Sequence, residues 1–118
     1  MSSEAENRAT IEAFWVAYNE ERVDDCVKMY APTARLRHFS QGLDISGVDA
    51  IREQMHGALD AVPGRRMRVL NILTAGDAVV AETRFEGTIA GSDQHLAIDM
   101  CYIYEFDDGK VVNVREYT

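Results

Sequence analysis

The chain has 118 residues, 47% of them hydrophobic, with a formal net charge of −8 and a pI near 4.7. This size and composition predict a single globular domain over residues 1–118 with a real core. The acidity argues against nucleic acid, whose binding needs a basic face to displace counterions, and against an anionic membrane surface. No run approaches the ~20 apolar residues of a membrane span. The opening MSSEAENRAT is polar and acidic, unlike a secretory signal. Cys26 and Cys101 fall in different predicted elements without metal-type spacing, so free thiols in a reducing cytoplasm are expected.

Residues 4–21 place Ile11, Phe14, Trp15 and Tyr18 on one stripe of an amphipathic helix, leaving Glu12, Asn19 and Glu20 for water. A short helix is predicted at Asp24–Tyr30, with Val23, Val27 and Tyr30 inward and Pro32 as its stop. Arg35–Ser40 then alternates, with Leu36 and His38 on one side and Arg35, Arg37 and Phe39 on the other. Gln41-Gly42 reads as a turn. Ser46-Gly47-Val48-Asp49 fits a capping box opening a third helix whose apolar face carries Val48, Ile51, Met55, Leu59 and Val62. Pro63-Gly64 ends that helix.

From Arg65 onward the pattern is strand. Arg66–Thr74 is followed by an Ala75-Gly76-Asp77 break and then by Ala78–Ile89, where Val79, Ala81, Thr83 and Phe85 share a side. After Gly91-Ser92-Asp93 comes a strand with Ile98, Met100, Tyr102, Tyr104 and Phe106 on one face and Asp99, Cys101, Ile103 and Glu105 on the other. A two-residue Asp108-Gly109 turn pairs Asp107 with Lys110 and sets Asn113 and Arg115 opposite Tyr104 and Tyr102. A three-residue loop pairs Phe106 with Lys110, which sets Val112 opposite Tyr104, Val114 opposite Tyr102 and Glu116 opposite Met100. The second register keeps the inner face apolar and is the one predicted. Helices first and a strand meander after them predict an α+β fold, helices packed on one face of an antiparallel sheet.

The ordered set resembles the nuclear transport factor 2-like superfamily, in particular its SnoaL-like polyketide cyclase and ketosteroid isomerase branches. It consists of Phe14-Trp15, Val27-Lys28-Met29-Tyr30-Ala31 leading into Ala34-Arg35-Leu36, Gly47, Phe85-Glu86-Gly87-Thr88 and the closing Tyr104–Val111 segment. The resemblance covers the whole chain. It implies a cone: a curved sheet wrapped around three N-terminal helices, an apolar pocket between them, and an outer sheet face that makes a homodimer. It also implies that the isomerase base falls at His38, its oxyanion tyrosine at Phe14 and its protonated aspartate at Tyr102. Those substitutions argue against steroid isomerisation.

The candidate chemistry is therefore His38 as general base, Tyr102 as hydrogen-bond donor to a carbonyl or enolate oxygen, and Glu116 as an orienting or second acid group. Each has a plainer reading: a core histidine satisfied by a neighbour such as Glu116, an aromatic core residue, a solvated carboxylate at the cone mouth. Phe14, Trp15, Tyr18, Tyr30, Leu36, Met55, Leu59, Met67, Thr83, Phe85, Met100 and Val114 are expected to wall the pocket. That lining suits a flat, apolar ligand and would equally fill an ordinary core. Asp99 falls on the outer face beside Arg115 or Tyr117, and the outer patch is expected to hold Cys101, Ile103, Val111 and Tyr117. His56 and His95 have no partner at metal spacing, and no phosphate-cradling loop or Gly-x-Ser-x-Gly elbow occurs. The expected function is a cofactor-independent, metal-free isomerase, cyclase or hydrolase acting on a small apolar carbonyl compound. A non-catalytic ligand-binding domain and a protein-interaction module are the alternatives.

Overall fold

A computed structural model describes residues 3–118. Helix α1 (Glu4–Asn19) begins at a reciprocal cap: the Glu6 N–H donates to Ser3 Oγ (3.1 Å) and the Ser3 N–H donates to the Glu6 carboxylate (3.2 Å). Its apolar stripe, Ile11, Phe14, Trp15 and Tyr18, is buried. Asn19 fastens the helix end to the sheet, donating to the Met67 carbonyl (2.9 Å) and accepting from the Met67 N–H (2.7 Å).

Helix α2 (Val23–Val27) is shorter than its predicted extent, and Tyr30 opens strand β1 (Tyr30–His38) instead of closing the helix. Pro32 is not a helix stop. It lies inside β1, in the stretch between Tyr30 and Arg35 where pairing with the neighbouring strand is irregular, so its missing N–H interrupts no ladder bond there. Phe39–Gln41 form a short 3-10 turn, and β2 (Leu43–Ser46) is an edge strand that the sequence pattern did not reveal. Ser46 belongs to that strand, so the predicted capping box does not form. Helix α3 (Val48–Ala61) is capped instead by Gly47, whose N–H donates to the Ala34 carbonyl at 2.8 Å.

The remaining strands are β3 (Arg66–Ala75), β4 (Ala78–Thr88), β5 (His95–Asp107) and β6 (Lys110–Tyr117). They form a meander in a sheet of order β2-β1-β6-β5-β4-β3. The sheet is antiparallel except where β1 runs parallel to β6. Irregular pairing within β1, β3 and the β5–β6 ladder bends it around α1 and α3. This is the predicted α+β architecture with a curved sheet wrapping the helices.

The β5–β6 hairpin corrects the predicted register. Its turn has two residues, Asp108 and Gly109 at φ 49° and 78°, and pairs Asp107 with Lys110 and Phe106 with Val111. Left unbroken, that register would turn Asn113 and Arg115 inward. A bulge at Val112 inserts one residue, after which Tyr104 faces Val114 and Tyr102 faces Glu116. Val111 is consequently fully buried and leaves the expected outer patch, while Val114 is buried one step later. Asp99 is on the outer face as expected, but its partner is Arg84 across the β4–β5 ladder (2.7 Å).

Candidate functional site

The register aligns one row of side chains across all six strands: Leu43, His38, Glu116, Tyr102, Ala81 and Ile72 are successive partners. The next row is Ile45, Leu36, Val114, Tyr104, Val79 and Thr74. Both rows face the helices, and between sheet and helices lies a cavity of about 460 Å³. Thus β1, β6 and β5 bring His38, Glu116 and Tyr102, far apart in sequence, side by side on its wall.

His38 Nδ1 lies 3.3 Å from Glu116 Oε2, with the two side chains 7% and 16% exposed. The histidine reading with Glu116 as neighbour and the pocket reading therefore coexist in one arrangement. His38 Nε2 is buried and has no hydrogen-bond partner among the described residues. Burial pushes the Glu116 carboxyl up to about 7, the field of Arg65 opposing the shift, and burial lowers the His38 imidazole. Near neutrality the imidazole is neutral and the carboxyl is close to half ionised.

Among the described residues Tyr102 donates to the Met100 thioether alone, a weak acceptor, at 3.6 Å. Its ring stacks on Tyr104 (centroids 6.0 Å apart) and meets Trp15 edge-on (5.0 Å). Burial holds the Tyr102 hydroxyl well above its ordinary pKa, so it stays a protonated donor.

Phe14, Trp15, Tyr18, Tyr30, Leu36, Met55, Met67, Phe85, Met100 and Val114 all border the cavity. Thr83 and Leu59, expected there too, do not. Thr83 is buried with its hydroxyl on the Met100 carbonyl (3.4 Å), and Leu59 is half-buried against the core on the flank of α3. His56 and His95 are exposed, and among the described residues no group of three His, Cys, Asp or Glu side chains is placed to hold a metal.

Sequence reasoning missed Arg65. It follows the turn after α3, and its guanidinium carbon lies 4.8 Å from the Tyr18 ring centroid and 5.2 Å from that of Phe85. Burial lowers its pKa, yet a guanidinium stays charged at any ordinary pH. The available signal was Gly87: a Cβ there would sit 2.5 Å from Val62 Cγ1 and 3.3 Å from Arg65 Cβ. The close approach of β4 to the segment ending α3 needs a glycine at this point, directly beside Arg65.

The arrangement can hold a small molecule between aromatic and methionine side chains, with a base-capable nitrogen and a phenol in one row. Comparisons with solved structures place this geometry in context. A SnoaL-like polyketide cyclase candidate from Jannaschia sp. CCS1 superposes with TM-score 0.88 at 20% identity, over 98% of this chain and 88% of that one. An LEH-like epoxide hydrolase from M. tuberculosis gives 0.82 at 21% identity, over 97% and 83%. A hypothetical protein with a ketosteroid isomerase-like fold from Catenulispora acidiphila DSM 44928, in complex with trimethylamine, gives 0.86 at 16% identity, over 92% and 84%. At these identities the likeness is one of fold. No curated protein matches the sequence. The model of the SnoaL-like domain matches residues 11–114, nearly the whole chain, and the protein belongs to the SnoaL-like domain family.

Proposed function

We propose that the protein is a cofactor-independent acid–base enzyme acting on a small, apolar, carbonyl-bearing molecule held in the cavity. The observation that carries this reading is the His38–Glu116 pair, which leaves Nε2 buried and unpartnered on the cavity wall. His38 Nε2 takes a proton from a carbon next to the carbonyl. The C–H bond breaks, its electron pair moves through the new C=C to the carbonyl oxygen, and the Tyr102 hydroxyl donates to the enolate oxygen. Ionised Glu116 accepts from Nδ1–H, fixes the tautomer and stabilises the imidazolium. Return of the proton at another carbon gives isomerisation; attack of the enolate carbon on a second carbonyl carbon of the same molecule breaks that C=O π bond, and the imidazolium gives its proton to the resulting alkoxide, which completes a cyclisation. Fold relatives described as a cyclase candidate and an epoxide hydrolase are consistent with acid–base work on this scaffold.

The test needs no prior substrate. A panel of apolar cyclic ketones and 1,3-diketones in D2O is followed by proton NMR for loss of the protons next to the carbonyl. Wild type is expected to exchange at least one of them above the buffer rate, His38→Gln to lose about 100-fold or more and Tyr102→Phe about 10–100-fold. The rate is expected to rise through pH ~7 and then level, because the working state has Glu116 ionised and His38 neutral. Retained activity in both variants sinks the assignment.

A second reading, binding without turnover, is favoured by the trimethylamine complex of the Catenulispora relative. Under it the same variants change affinity and no exchange is seen. We also propose a homodimer through the half-buried outer patch of Val80, Cys101 and Ile103, checked by light scattering on the eluting species. A cytoplasmic setting is supported by the free thiols Cys26 and Cys101; no helix among the described residues is long and apolar enough to cross a membrane.

A further inference from the structure

The cavity is bordered by several buried polar atoms that no other side chain or backbone group among the described residues engages, three of them donors and one, His38 Nε2, the acceptor nitrogen of the proposed base. Seven buried side-chain nitrogen or oxygen atoms lack a partner among the described residues, and four of them belong to residues bordering the cavity: Trp15 Nε1, His38 Nε2, Arg65 Nε and the Tyr104 hydroxyl. The indole and guanidinium nitrogens can only donate, and the phenol donates readily. Tyr102 adds a fifth group whose proton meets only a thioether. A buried donor without a partner has given up the hydrogen bond that water would supply, so several around one cavity mark positions completed by a guest.

Arg65 gives the guest a sign. Among the described residues it is the one Lys or Arg on the cavity wall, and its Nε is buried without a hydrogen-bond partner. Elsewhere on this acidic chain, arginines such as Arg22, Arg35 and Arg84 are held by carboxylates. Here the Tyr18 and Phe85 rings fix the guanidinium by stacking and leave its edge, where the N–H groups point, without an acceptor. The carboxyl nearest in field, Glu116, is engaged by His38.

We propose that Arg65 is an anion subsite and that the natural ligand is an apolar carboxylate, its acid group on the Arg65 guanidinium and its body among the aromatic and methionine side chains. The proposal rests on the reading of the cavity as a ligand site and adds the chemical class. A carboxylate matches the planar fork of the guanidinium with two charge-assisted bonds, which a neutral carbonyl cannot do. The protein's net charge of −8 opposes the approach of any anion at long range. That repulsion is screened beyond about 8 Å at physiological salt, so selectivity resides in the buried contact.

The test uses 2-naphthoate and its neutral isostere 2-naphthamide, titrated calorimetrically into the full chain. Wild type is expected to bind the carboxylate at least ten-fold more tightly than the amide. Arg65→Gln is expected to lose ten-fold or more for the carboxylate and less than three-fold for the amide. Arg65→Lys, which keeps the charge without the fork, is expected to retain part of the preference, and it carries the test if Arg65→Gln fails to melt cooperatively. Equal affinity for the two probes in wild type, or an undiminished preference in Arg65→Gln, overturns the anion subsite while leaving the cavity reading standing. Binding of neither probe at millimolar concentration overturns both.

Discussion

Glu116 and Asp99 are two carboxylates on one sheet, each beside a basic side chain on the adjoining strand, and they respond in opposite directions. Asp99 is on the outer face, 2.7 Å from Arg84 in water, and the guanidinium holds its carboxyl below the ordinary range. Glu116 is on the inner face, 3.3 Å from His38, and burial pushes it up to about 7. The difference is the medium, together with a partner that is itself neutral near pH 7. Desolvation outweighs pairing inside, and pairing outweighs the small desolvation outside. The outer face carries a set of such cross-strand contacts, Arg68 with Glu86, Asn71 with Glu82 and Arg115 with Glu105, which contribute little to stability. The inner face brings His38, Glu116 and Tyr102 into one row, where burial rather than pairing sets the direction of each shift.

The sharpest way to break this comparison is to place a carboxylate where the bulge turns the chain. Val111→Asp buries an unpaired charge at a fully buried position and is expected to cost about 3–5 kcal/mol. Val112→Asp, one residue later and half-buried, is expected to cost far less; equal losses in urea unfolding would refute the bulged register. Glu116→Gln comes next. The folded carboxyl titrates near 7 against an ordinary 4.5, so its contribution is fully present below the lower value and is lost as pH rises through the upper. The variant escapes that loss, and its stability relative to wild type is expected to climb by up to about 3 kcal/mol between pH 5 and pH 9. A difference that stays flat with pH would rule out the buried titration. His38 runs the other way: its lowered pKa supplies stability above its ordinary value that is lost as pH falls through the folded one.

Gly87→Ala sharpens the comparison on the inner side. The new Cβ meets Val62 Cγ1 at 2.5 Å, and a cost of about 1–3 kcal/mol is expected, with weakened binding at Arg65 as the diagnostic readout. Asp99→Asn is expected to shift the melting temperature least, and 1 M salt is expected to erase even that. A larger effect from Asp99→Asn than from Glu116→Gln at pH 9 would reverse the ranking of the two faces.

Much of the fold was legible because it is written in local periodicity. The Ile11-Phe14-Trp15-Tyr18 stripe, the α3 face and the alternation in β4 and β5 each need only a few consecutive residues to declare which side is buried. The misses have a common cause. Four-residue β2, whose half-buried and exposed residues alternate weakly, owes its state to pairing with β1. Ser46 satisfies a capping pattern but is claimed by that same pairing. Pro32 reads as a helix stop until a parallel neighbour with an irregular stretch accommodates it. The candidate site was legible in part: His38, Tyr102 and Glu116 were placed inward, the last through a register that the structure replaces.

By itself, then, the sequence determined the order of the three helices and of every strand but β2, the inward faces of α1, α3, β4 and β5, and a pocket wall of aromatic and methionine side chains, since hydrophobic period is a property of neighbours along the chain. Only the tertiary structure decided that His38 meets Glu116, that a bulge at Val112 carries Glu116 opposite Tyr102, and that Arg65 sits over Tyr18 and Phe85. Those facts depend on which strands become neighbours and on a one-residue insertion that reverses the facing of every side chain after it. No local pattern encodes them, because the energy that selects them is the burial of the hairpin's inner face against residues distant in sequence.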